Sequence, residues 1–197
     1  KKAYYETFKN LGVEVSEDLY KTMTGSSTIN AFQKLVNHFN LDDIPEELVI
    51  QKRKRYVNFF ENDPTLSLVS GVKELIQFLY KQNLTLVLAS SSAMVNINRV
   101  FSRFDLNEYF SAKISGANLI ASKPHPEIFE KAAILGGVSK EQCIVIEDSD
   151  NGIKAANDAG IFVVGYENPL ESDQTLKDAN LIIRDFNILK KYMIDLK

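Results

Sequence analysis

Cys143-Ile144-Val145-Ile146-Glu147-Asp148-Ser149-Asp150-Asn151-Gly152-Ile153-Lys154-Ala155-Ala156 is a short apolar run that breaks into acid, then a turn, then a helical pattern of small residues. A brief apolar run bounded by turn signals reads as a strand buried on both faces. Two adjacent carboxylates leaving such a strand are costly unless water, a cation or hydrogen bonds compensate them. A hard, oxygen-liganded ion such as Mg2+, which keeps several waters and takes only a few carboxylates, answers that cost at Glu147 and Asp148. The other reading is that Asp148 and Asp150 only stabilise the N-terminus of the following helix.

Outward from this stretch the same alternation recurs from Asp63-Pro64 onward. Strands are expected at 84–89, 112–115, 143–146, 162–164 and 181–183. Between them lie amphipathic segments, such as Val72, Leu75, Ile76 and Leu79, or Ile128, Ala132 and Leu135 closed by Gly136. Apolar strands separated by helices imply an α/β fold with an open parallel sheet covered on each side. In such sheets ligands bind beyond the carboxyl ends of the strands.

Two further groups stand at those ends. Ser90-Ser91-Ser92 follows the strand at 84–89 and precedes a helix that begins near Ala93. Hydroxyls and free backbone N–H groups there could cradle an anion, or the serines could simply cap the helix. Lys123, in Ser122-Lys123-Pro124-His125-Pro126, sits between strand and helix with two prolines fixing its approach. It could neutralise a carboxylate or a phosphoryl oxygen, or be a solvated surface lysine. His125 and His38 read as structural or exposed, and no His/Cys cluster has metal-ligand spacing for zinc.

The first 62 residues have no strand pattern. Tyr4, Phe8 and Leu11 share a helix face that Gly12 can end, and Ser16 can cap a second helix. Ile29, Phe32, Val36 and Phe39 line a third, and Pro45 can open a fourth that runs through Phe60. Residues 1–62 are therefore expected to be an all-helical domain and residues 63–197 an α/β domain.

The bulk numbers narrow the function classes. Forty-five per cent hydrophobic and 25% charged residues describe a globular chain, and a net charge of −3 offers no broad cationic surface for nucleic acid or anionic lipid. The basic stretch Lys52-Arg53-Lys54-Arg55 reads as a solvated helix face. The single cysteine, Cys143, excludes an internal disulfide and fits a reducing, cytoplasmic compartment. No run of 18 apolar residues argues for a membrane span.

In their order along the chain, the serine turn at Ser90, Ser122-Lys123-Pro124-His125-Pro126-Glu127-Ile128-Phe129 and Ile144 to Ala156 with Ala159-Gly160 resemble motifs two, three and four of haloacid dehalogenase-like hydrolases. The subgroup most similar is that of β-phosphoglucomutase-like phosphatases and mutases, with the helical half resembling the family's cap. The resemblance implies a Mg2+-dependent phosphatase acting on a small phosphorylated metabolite; a monomer with no nucleic-acid or membrane partner is expected. Ser90 and the Ser91 backbone would bind the phosphoryl group, Lys123 would neutralise charge between nucleophile and phosphoryl group, and Glu147 and Asp148 would hold the metal.

The resemblance also implies a first motif, an apolar strand ending in Asp-x-Asp, which the 197 residues do not contain. The nucleophile and its first core strand are expected on a preceding segment, and the chain alone is expected to be inactive. Mutases of the subgroup carry a phosphate-gripping arginine where this chain has Thr28, and Lys-Asn where it has Ala93-Met94. That favours hydrolysis over phosphoryl transfer between positions of a sugar. A non-catalytic phosphate binder is the alternative from another class. Gly25, Ser26, Thr28 and Lys52 are the candidate substrate residues of the cap.

Overall fold

The computed structural model describes residues 1–23, 28–121, 123–169 and 174–195. The chain divides into two compact units, Lys1–Ser67 and Leu68–Lys197.

The first unit is helical, with α1 at Lys2–Asn10, α2 at Glu17–Met23, α3 at Thr28–Phe39 and α4 at Pro45–Asn62. The local signals act as expected. Gly12 takes φ 69° just past α1, the Ser16 hydroxyl accepts the Leu19 amide at 3.2 Å, and Pro45 occupies the first turn of α4, where its missing N–H costs nothing. Phe8, Met23, Ala31, Phe32, Leu35, Leu48 and Val49 form the core. Each large side chain among them contributes roughly 1.5–3 kcal/mol by burial. Thr7 is also fully buried, and its hydroxyl donates to Ala3 O at 2.9 Å, so it is not orphaned.

The second unit alternates helix and strand. It comprises α5 at Val72–Lys81, β1 at Val87–Ser90, α6 at Met94–Arg103, β2 at Ala112–Ser115 and α7 at Glu127–Gly136. After these come β3 at Ile144–Glu147, α8 at Asp150–Asp158, β4 at Phe162–Tyr166, β5 at Leu181–Ile183 and α9 at Phe186–Asp195. Every strand pairing is parallel. The fold is thus α/β, as the alternation implies.

Instead of one sheet, the described residues form two, β1–β2 and β3–β4–β5 in that order. β1 pairs with β2 alone and β3 with β4 alone, so each has an inner edge without a ladder partner among the described residues. On one face, α7 packs against β1 and β2 while α8 packs against β3 and β4. Small Ala155 and Ala156 let α8 approach closely, and Ile128, Val145, Ile153 and Val163 fill the space. On the other face, Leu75 and Leu79 of α5 meet Val164, Ile183, Phe186 and Leu189.

Cover on both faces is not complete. Ile144 and Ile146 are 45% and 39% exposed, and Phe162, the ladder partner of Ile144, is 49% exposed. The period-two pleat turns Val145 toward the core and leaves its two neighbours pointing the other way.

Element ends also shift. β1 begins at Val87 rather than 84, because Leu84 still closes α5. Its amide bonds Leu79 O at 3.2 Å across Asn83, which takes φ 59°. Gly137, at φ 70°, ends α7 in place of Gly136, and Leu135 is exposed whereas Ile128, Phe129 and Ala133 face inward. No described helix is long and apolar enough to cross a membrane.

Candidate active site

The carboxyl ends of β1 and β3 carry the candidate residues, and Lys123 in the loop before α7 joins them. Its ammonium donates to Ala89 O on β1 at 3.4 Å and to Glu147 Oε1 at the end of β3. It also lies 4.6 Å from the centre of the Phe129 ring. The two side chains are only 10% and 9% exposed, so Lys123 is no solvated surface lysine. The Lys123–Pro124 bond is cis.

The second oxygen of Glu147 accepts three donors: the Asp148 amide at 2.8 Å, the Ser149 amide at 3.1 Å and the Ser149 hydroxyl at 3.2 Å. Burial pushes this carboxyl up, but the Lys123 ammonium and the Asp148 amide more than offset it. The group titrates below the ordinary glutamate range.

The turn behind Glu147 begins α8. Ser149 is the N-cap, its hydroxyl accepting the Gly152 amide at 3.1 Å. Asp148 is exposed at the strand end. Asp150 is committed elsewhere: its carboxylate accepts the Leu176 amide at 2.7 Å and the amide and hydroxyl of Thr175, each at 3.2 Å. Its own amide donates to Gln174 Oε1 at 2.7 Å. Of the two acids first read as helix stabilisers, Asp150 therefore anchors the 174–176 loop to the first turn of α8.

Ser90 ends β1, and its hydroxyl accepts the Ser92 amide at 3.2 Å. Ser91 and Ser92 are exposed. The serines do not cap α6, whose N-cap is Ala93 with no side-chain cap bond. Buried Ser115, at the end of β2, holds the turn from behind by donating to Ser92 O at 2.7 Å. Sequence reasoning missed Ser115. The signal available was its position at the end of the strand that pairs with β1.

Among the described residues no group of three or more His, Cys, Asp or Glu could hold a metal. Glu147 and Asp148 nonetheless offer the hard oxygens that Mg2+ takes when it is held by one or two carboxylates, waters and substrate oxygens. The donor set fits that ion and does not fit zinc. His125 is exposed, with Nδ1 accepting the Glu127 amide at 3.3 Å, and His38 packs edge-on against Phe39.

In the helical unit, Lys52 is half-buried on α4, its ammonium 4.6 Å from the Tyr4 ring centre and 6.0 Å from that of Tyr56. Burial first, and Arg53 next, push its pKa below the ordinary lysine value. Of its basic neighbours, Arg53 and Lys54 form the solvated face expected, whereas Arg55 is half-buried. Thr28 begins α3. Gly25 and Ser26 lie outside the described residues. Cys143 is partly buried, and desolvation first raises its thiol pKa, in keeping with an inert side chain.

Residues 1–166 match the sequence model of the haloacid dehalogenase-like hydrolase family. A phosphorylated carbohydrates phosphatase of Thermotoga maritima is 26% identical over 185 residues, which cover 91% of this chain and 83% of that protein. The β-phosphoglucomutase of Bacillus subtilis is 32% identical over 139 residues, covering 71% of this chain and 59% of the relative. Against the crystal structure of a β-phosphoglucomutase from Clostridium difficile the TM-score is 0.79 at 24% identity, over 99% of this chain and 87% of the other.

Proposed function

Since this chain belongs to the haloacid dehalogenase-like hydrolases, in their β-phosphoglucomutase-like subgroup, we propose that it forms the larger part of a phosphatase acting on a small phosphorylated metabolite such as a sugar phosphate. The observation that carries the reading is the reach of Lys123 to both Ala89 O and Glu147, one position from Ser90 and Asp148. A buried cation, a hydroxyl at a strand end and adjacent carboxylates suit phosphoryl transfer, where positioning and charge neutralisation supply most of the catalysis.

In this reading the Ser90 hydroxyl and the Ser91 amide orient the phosphoryl oxygens, and Lys123 offsets charge that builds on them. Glu147 and Asp148 hold Mg2+, which when bound withdraws charge from the phosphoryl group. The attacking carboxylate belongs to a further strand seated between the open inner edges of β1 and β3. Residues 1–62 act as the cap, and Gly25, Ser26, Thr28 and Lys52 choose the ester. Thr28 cannot supply the bidentate fork of an arginine, and this favours hydrolysis over a mutase reaction.

The test is phosphate release from p-nitrophenyl phosphate and a panel of sugar phosphates by a chain extended with an apolar strand ending in Asp-x-Asp. Turnover that requires both the extension and Mg2+ is expected, with Asp148→Asn lowering it at least a hundredfold. Turnover by the 197 residues alone, or full activity in Asp148→Asn, would overturn the assignment. Phosphate binding without turnover would favour a binding protein.

A further inference from the structure

Gly152 lies in the first turn of α8 with ordinary helical backbone, so no left-handed conformation requires glycine there. What requires it is the side chain of Glu147. A Cβ at Gly152 would stand 2.0 Å from Glu147 Oε1, 2.1 Å from its Cδ and 2.6 Å from its Cγ, all far inside van der Waals contact. The carboxylate occupies the space a Cβ would take, and there it collects the Asp148 and Ser149 donors and meets Lys123.

The geometry points to Gly152 as a positioning residue. Its missing side chain leaves the space in which Glu147 rests, and so it sets the Lys123–Glu147 contact without a side chain of its own. The steric part stands independently. Only its consequence for turnover rests on the phosphatase reading.

The atoms a Cβ would strike are the far end of a flexible side chain, not backbone. Gly152→Ala should therefore fold, with Glu147 swung off α8. A glycine conserving only helix geometry would behave differently, because alanine is the better helix former and should simply stabilise.

A double-mutant cycle on the full chain separates these cases. Glu147→Ala, Gly152→Ala and the double variant are compared by amide exchange at Asp148 and Ser149 in NMR spectra and by the urea midpoint. Gly152→Ala alone should speed exchange of both amides at least tenfold, matching Glu147→Ala. In the Glu147→Ala background the same change should leave exchange unaltered and raise the midpoint. If Gly152→Ala does not fold but the double variant does, the clash with Glu147 is demonstrated by the rescue. Unchanged exchange in Gly152→Ala, an equal effect in both backgrounds, or unfolding of both variants would overturn the inference. No phosphatase assay enters this outcome, so it stands or falls apart from the proposed activity.

Discussion

Lys123 and Glu147 are each nearly buried and pair with one another. Removing one side of a buried pair leaves the other uncompensated. Lys123→Met should therefore cost about 3 kcal/mol at neutral pH, read as a shift in urea midpoint. The pH dependence follows from the direction of the Glu147 shift. Its folded value lies below the unfolded value of about 4.3, so it contributes stability above that pH. The contribution is lost as pH falls through the lower folded value. In Lys123→Met, desolvation no longer meets an opposing charge, so the variant should lose less stability on acidification than the parent does. In the extended protein the same change should lower kcat on the order of a hundredfold or more. An unchanged rate would return Lys123 to a structural role.

At the scale of elements, the first turn of α8 carries more than its cap. Ser149→Ala removes the bond to the Gly152 amide and one donor to Glu147, and about 1 kcal/mol of stability should go with it. Asp150→Ala should release residues 174–176 instead, speeding amide exchange at Leu176 while leaving Asp148 and Ser149 protected. The two variants thus distinguish the strand end from the loop. Most elements were legible in the sequence because their signals are local: Pro45 opens α4, Gly12 closes α1, and the change from helical spacing to short apolar runs after Asp63-Pro64 marks the new architecture. The end of β1 was less so, since Leu84 to Leu86 look strand-like while Leu84 is still bonded back to α5. Ser115, Gly152 and the Asp150 anchor were not legible at all. Their roles depend on what lies across a turn or a neighbouring strand, and nothing in the run of residues states that distance.

For the molecule as a whole, the separation into two sheets has a cost in solution. Inner edges of β1 and β3 that have no ladder partner among the described residues, with Ile144, Ile146 and Phe162 exposed nearby, are templates for pairing with other chains. The 197 residues alone are therefore expected to self-associate with rising concentration in sedimentation velocity. The extended protein should stay monomeric, and a monomeric 197-residue chain at high concentration would speak against open edges. Lys123 meanwhile works as a rivet through two plates, one end fixed to Ala89 O on the first sheet and the other to Glu147 on the second. Whatever draws that ammonium aside, whether an arriving anion or a proton on its carboxylate partner, slackens the joint at one end of both plates.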